Sequence, residues 1–101
     1  MASLPLCAPD AVLDGVEIRV STREGGISQS PYDSLNLANH VGDKAESVDE
    51  NRRRLAEALP GEAVCWLNQV HGVNVVEAAP EVVPDADAHW TAARDLPLAV
   101  L

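Results

Sequence analysis

Between residues 16 and 22 apolar and polar side chains alternate, with Val16, Ile18 and Val20 on one side and Glu17, Arg19 and Ser21 on the other. A period of two is that of a half-buried strand, and Gly25 with Gly26 predicts the turn that ends it. Pro31, Tyr32, Asp33 and Ser34 predict a second turn, followed by a short extended piece in which Leu35 and Leu37 flank Asn36. The period then changes. Val41, Ala45, Val48, Leu55 and Leu59 recur at helical spacing, with Asp43 as N-cap, Glu46 as its capping-box partner, and Pro60 with Gly61 as the stop. This stripe has a gap at Arg52, which the spacing puts on the face of Val48 and Leu55. A cation there is either a snorkelling or ion-paired structural residue, or an anion contact at the edge of a site.

Residues 63–67 and 73–76 are short β-prone runs separated by Asn68, Gln69, His71 and Gly72, which predicts a strand, turn, strand unit. Residues 77–88, rich in Pro, Asp, Glu and Ala, predict a surface loop, and 96–101 a further strand. Together these elements predict an α+β chain forming part of one domain over 1–101. The final LPLAVL has no turn residue, cap or polar tail. Because a terminal apolar strand normally pairs within a sheet, the pattern predicts truncation at the carboxyl end, or an edge covered by self-association.

Composition narrows the function classes. A chain of 101 residues buries only somewhat over about 60% of its unfolded surface, so its margin of stability is thin. Apolar residues make up 47%, too many for a disordered region, and with no Phe the core must be built from Val, Leu and Ala. The formal charge of -9, from 16 acidic against 7 basic residues, argues against binding to nucleic acid. Arg52, Arg53 and Arg54 form the one basic cluster, read as a solvated helix face. Cys7 and Cys65 lie in unlike contexts with no CxxC pair, which suits a reducing compartment. The opening MASLPLCAPDAV lacks the basic start of a leader, and no apolar run reaches the roughly 20 residues of a membrane span. The expected place is the cytoplasm.

Few residues are positioned for chemistry. His71 sits in Gln69-Val70-His71-Gly72 at the predicted turn, where Gly72 permits a close approach or a positive φ. An imidazole there is either a surface residue or a ligand. Cys65, His40 and His89 are candidate co-ligands, but none stands at chelating spacing, and a zinc site needs three or four protein ligands. Cys65, inside a β-prone run, is read as a buried inert thiol. Gly25 and Gly26 after the first strand form either a simple turn or a phosphate cradle.

The segments STREGGISQSPYDSLNLANHVGD, ENRRRL, WLNQVHGVNVV and DADAHWT, in this order and spacing, resemble the laccase-domain family. Members of that family are also called multicopper polyphenol oxidoreductase-like proteins, purine nucleoside phosphorylases or peptidoglycan editing factors. The resemblance covers about residues 16–101 and implies part of a four-layer α/β/β/α sandwich with mixed sheets. It also implies a zinc held by the His of QVHG, a Cys of a TADC motif and a later His. By that resemblance His71 is the catalytic zinc ligand, and the other ligands lie beyond Leu101. Copper is a poorer match to these ligands.

The implied activity is cleavage of adenosine, inosine or methylthioadenosine with phosphate, together with deamination of adenosine. In that reading Arg23 and Ser28 line the phosphate or ribose pocket, Asn36 and Gln69 are polar contacts, Arg52 contacts an anion, and His40 is an acid or base. Trp66 and Asp87 are read as structural. The competing readings are a polyphenol oxidoreductase, a hydrolase editing cell-wall precursors, and a non-enzymatic acidic interaction module.

Overall fold

The computed structural model describes residues 4–7, 14–61 and 63–101. The reading of MASLPLCAPDAV as lacking a leader falls mostly outside the described residues. Two compact units form, Met1–Ala58 and Leu59–Leu101. The first is built on a single helix, α1 (Ala45–Ala58), and the second on a parallel pair of strands, β1 (Val75–Glu77) and β2 (Ala88–Trp90). The α+β class is therefore borne out. No helix among the described residues is long and apolar enough to cross a membrane.

The sequence AESVDENRRRLAEA favours α1, because most of its residues are strong helix formers and Glu46 in the first turn complements the helix dipole. Glu50 pairs with Arg53 and Arg54, and Arg53 also with Glu57, at helical spacings of three and four residues. The buried positions are Ser47, Val48, Asn51 and Leu55. Asn51, and not Arg52, therefore occupies the gap in the apolar stripe. Arg52 is half-buried, and its Nε donates to the Leu37 carbonyl at 2.9 Å.

Three sequence expectations are corrected here. The helix starts two residues after Asp43. The Lys44 carbonyl accepts from Ser47 and Val48 and so holds the N-cap place. The Asp43 carboxylate instead accepts from the Lys44 N–H, the Ser28 hydroxyl and the Asn36 amide. The arginine run is not a wholly solvated face either, since Arg52 binds the Leu37 carbonyl and Arg54 binds the Gly25 carbonyl at 3.1 Å. Finally, Val20 of the predicted strand pairs with Cys7 in an isolated antiparallel bridge, and Val16 and Val20 stay half-exposed. A strand buries its apolar side only where another layer covers it, and no described residue takes Val16 or Val20 into a core.

In the second unit the two β-prone runs do not pair with each other. Each pairs in parallel with a later segment: Cys65 with Leu98, Asn68 with Asp85, and Val75–Glu77 with Ala88–Trp90. The stretch read as a surface loop, 77–88, thus supplies a central part of the ladder, and Ala86 within it is fully buried. Parallel pairing joins segments distant in sequence, so local alternation gives no sign of it.

Each unit has a small core: Leu35, Leu37, Val48 and Leu55 in the first, Val64, Cys65, Leu67 and Ala86 in the second. At about 1.5–3 kcal/mol per buried aliphatic side chain, such cores leave little margin over chain entropy. Polar anchoring consequently matters. In the first unit the anchor is Asn51, fully buried, whose Nδ2 donates to Ser28 Oγ, Ser34 O and Asn36 O while its Oδ1 accepts from the Ile27 N–H. Segment 26–36 is thereby tied to α1. Gly26 comes so close that a Cβ there would collide with Ser34 O, Leu35 Cα and Asn51 Oδ1.

Replacing Asn51 with Ala should destabilise the first unit by roughly 1–3 kcal/mol, because the Ile27 N–H and the Asn36 carbonyl would lose the part-buried hydrogen bonds that Asn51 gives them. Chemical denaturation followed by circular dichroism measures this, and an unchanged midpoint contradicts it. Acid should also weaken α1. Hydrogen bonds from Arg53 and then Arg54 hold Glu50 at about 2, against an ordinary 4.5. A depressed folded-state value means that the contribution is full above 4.5 and is lost as pH falls through about 2. Helix content should fall across that window, and Glu50→Gln should flatten the profile.

Candidate functional site

The candidate residues fall in two groups, one in each unit. In the first unit Ser28 and Asn36 meet on Asp43. Ser28 Oγ donates to Asp43 Oδ2 at 2.5 Å and accepts from Asn51, while Asn36 Nδ2 donates to Asp43 Oδ2 at 3.2 Å and to Ala38 O. The Ser28 hydroxyl above all, then the Asn36 amide and the Lys44 N–H, hold the Asp43 carboxyl below its ordinary range against the opposing effect of burial. Among the described residues no buried side-chain polar atom lacks a hydrogen bond. Ser28 and Asn36 therefore act inside a closed network that shapes the segment.

Arg23 and His40 face solvent. Arg23 reaches back to the turn at 33–35 in both directions: its guanidinium donates to Asp33 O and Oδ2, and its carbonyl accepts from the backbone N–H groups of Ser34 and Leu35. The Arg23 side chain is 75% exposed, so the ion pair with Asp33 leaves it open to an anion from solution. Arg52 is engaged by Leu37 as described above.

In the second unit Gln69 and His71 lie on one exposed loop. Gln69 Oε1 accepts from the backbone N–H of Leu101 at 2.9 Å. The left-handed conformation at this turn falls on His71 itself, with φ 60, and not on Gly72. At Gly72 a Cβ would stand 3.4 Å from Asp87 Oδ2, an ordinary contact. The Asp87 carboxylate accepts three backbone N–H groups, from Val70 at 3.0 Å, His71 at 2.9 Å and Gly72 at 2.6 Å. The Gly72 N–H foremost, with those of His71 and Val70, lowers the Asp87 carboxyl from its ordinary value despite desolvation.

Sequence reasoning passed over Asn51 and gave Asp87 a structural role without naming what it holds. Asn51 did have a signal, since Val48, Asn51 and Leu55 follow the three-then-four spacing of the buried stripe. The partners of Asp87 had none, because it lies in a stretch whose composition reads as loop.

As to metals, no three His, Cys, Asp or Glu side chains gather among the described residues. His71 offers one imidazole, fewer than the three protein donors that zinc requires, so the residues present do not by themselves fit a zinc ion. Cys65 is buried, and its thiol is pushed up by that burial and by the charge of Glu81. Its burial agrees with the sequence expectation of a buried thiol.

The comparisons with known proteins agree with one another. A protein of Pseudomonas aeruginosa named purine nucleoside phosphorylase is 59% identical over 73 residues, covering 72% of this chain and 30% of that protein. YfiH of Escherichia coli, which carries the same enzyme name, is 48% identical over 81 residues, covering 76% of this chain and 33% of its own length. The chain thus spans about a third of the length of these curated relatives. Among solved structures, the Neisseria meningitidis protein NMB0706 superposes with a TM-score of 0.80 at 38% identity, over 90% of this chain and 38% of that one. The sequence pattern described as Multi-copper polyphenol oxidoreductase laccase matches residues 17–101, a span that contains every candidate residue above, and the chain belongs to that family.

Proposed function

We propose that this chain contributes to a purine nucleoside phosphorylase acting on adenosine, inosine and methylthioadenosine, with a deaminase activity toward adenosine. The observation that carries the reading is the 59% identity with the Pseudomonas aeruginosa protein bearing that enzyme name. The exposed His71 loop and the solvent-facing Arg23 and His40 lie inside the segment matched by the family. In phosphorolysis a phosphate oxygen bonds to C1′ of the ribose as the bond from C1′ to the purine nitrogen breaks. The electron pair leaves with the purine, which takes up a proton. Ribose 1-phosphate and the free base result.

In this reading Arg23 offers the guanidinium that an incoming phosphate requires, and Arg52 lends a second positive charge from its half-buried place. Ser28 and Asn36 hold the segment that carries Arg23. His40 is the acid that protonates the departing base, and Gln69 orients polar groups of the nucleoside. With further donors from outside the described residues, His71 would supply one imidazole to a zinc ion, which would lower the pKa of a water there. The four-layer sandwich and a cytoplasmic location belong to the same proposal.

The word laccase in the family description supports a second reading, a copper oxidoreductase. It is the weaker one, because a blue-copper set takes two imidazoles and an available thiolate, whereas Cys65 is buried with its thiol pushed up.

The test is phosphate-dependent release of the free base from inosine and adenosine. It is run on this chain and on a chimera in which the chain replaces the matching segment of the Pseudomonas aeruginosa relative. The chimera should be active, and His71→Ala should lower kcat by about 100-fold or more. His40→Ala should also lower kcat by about 100-fold, with KM little changed. A folded chimera that releases no base in phosphate overturns the reading, and equal activity in the wild-type and His71→Ala chimeras removes His71 from it.

A further inference from the structure

We infer that Asp87 is the positioning residue of the His71 loop: its one carboxylate holds three consecutive backbone N–H groups and so fixes the His71 backbone in the left-handed conformation that aims the imidazole. The ladder around the loop shows why such a residue is needed. Upstream, the Asn68 N–H donates to Pro84 O and the Ala86 N–H donates to Asn68 O; downstream, the Asp87 N–H donates to Asn74 O and Val75 pairs with Ala88. The chain from 69 to 73 is therefore looped out of a parallel ladder whose opposite side passes directly from Ala86 to Ala88. The N–H groups at the tip of that loop have no strand opposite them.

Asp87 sits where the opposite side passes the base of the loop. Oδ1 takes the N–H groups of Val70 and His71, and Oδ2 takes that of Gly72 at 2.6 Å. A residue with a Cβ at φ 60 costs the backbone roughly 1–2 kcal/mol and holds there where the surroundings over-determine it. Three charge-assisted hydrogen bonds to one rigid anion supply that determination. Asp87 is itself aimed by its neighbours, for Ala86 before it is fully buried and Ala88 after it lies in β2. Asp85, on the same segment, accepts instead from the Asn68 side chain at 2.7 Å and does not touch the loop.

That His71 does chemistry rests on the proposed function; that Asp87 sets its backbone does not, and the experiment separates the two. The backbone arm uses the chain itself, labelled with nitrogen-15. Asp87→Ala should shift the amide resonances of Val70, His71 and Gly72 and raise their hydrogen exchange about tenfold or more, while Asp85→Asn leaves them in place. His71→Gly removes the cost of the left-handed backbone, so the wild type regains that cost when Asp87→Ala lets the loop relax and the His71→Gly chain has none to regain: Asp87→Ala should destabilise the His71→Gly chain more than the wild type. Equal losses of stability in the two backgrounds, or unmoved amides, overturn the inference. The activity arm uses the chimera: Asp87→Asn, which keeps an acceptor oxygen but loses the charge, should lower kcat about 10- to 100-fold with KM nearly unchanged. Where His71→Ala lowers the activity of the chimera, an unchanged kcat in a folded Asp87→Asn chimera also overturns it. A wild-type chimera without activity counts against the enzymatic reading alone, and the backbone arm then decides the role of Asp87.

Discussion

Backbone N–H and C=O groups that lie outside helices and strands must find partners elsewhere, and this protein has many of them. One helix and a two-stranded sheet are all the regular structure among the described residues, so long stretches of chain are held by side chains reaching to the main chain. Asn51 does this for segment 27–36, Asp87 for 70–72, and the guanidinium groups of Arg23, Arg52 and Arg54 for single carbonyls. Each of these side chains fixes a loop that neither a ladder nor a large apolar core would fix.

The same arrangement links stability to the candidate chemistry. The segment that carries Arg23 and Ser28 is the one tied to α1 through Asn51 and Asp43, and the loop that carries His71 is the one tied to Asp87. In both units a polar residue on a regular element, or beside one, collects the orphan groups of an irregular segment. Irregular backbone can then present a guanidinium or an imidazole to solvent while its own polar groups stay satisfied. A closed network of this sort also accounts for Ser28 and Asn36, whose polar groups are engaged within the protein.

Family membership and geometry inform different parts of the account. The match over 17–101, with relatives named purine nucleoside phosphorylase, gives the reaction class its support. The geometry shows how individual residues are held, and it shows which groups Asp87, read from the sequence as structural, holds.

Local pattern alone carried the helix, because its periodicity, ion pairs and Pro-Gly stop all act within a few residues of one another. It carried the turn at His71 and the buried state of Cys65 for the same reason. What it could not carry was partner choice. The runs at 63–67 and 73–76 read as a hairpin, yet each pairs with a later segment, because a parallel ladder is decided by contacts between residues distant in the chain. That pairing buried Ala86, turned Asp87 toward the His71 loop, and placed the left-handed residue at His71 rather than at Gly72. Likewise Asp43 had the local signature of a cap, and only the approach of Ser28 and Asn36 in the folded chain drew its carboxylate away. The sequence by itself thus determined where the helix and the turns lie, since those depend on neighbours; the tertiary structure decided which side chains hold the loops, since that depends on what folding brings within hydrogen-bond reach.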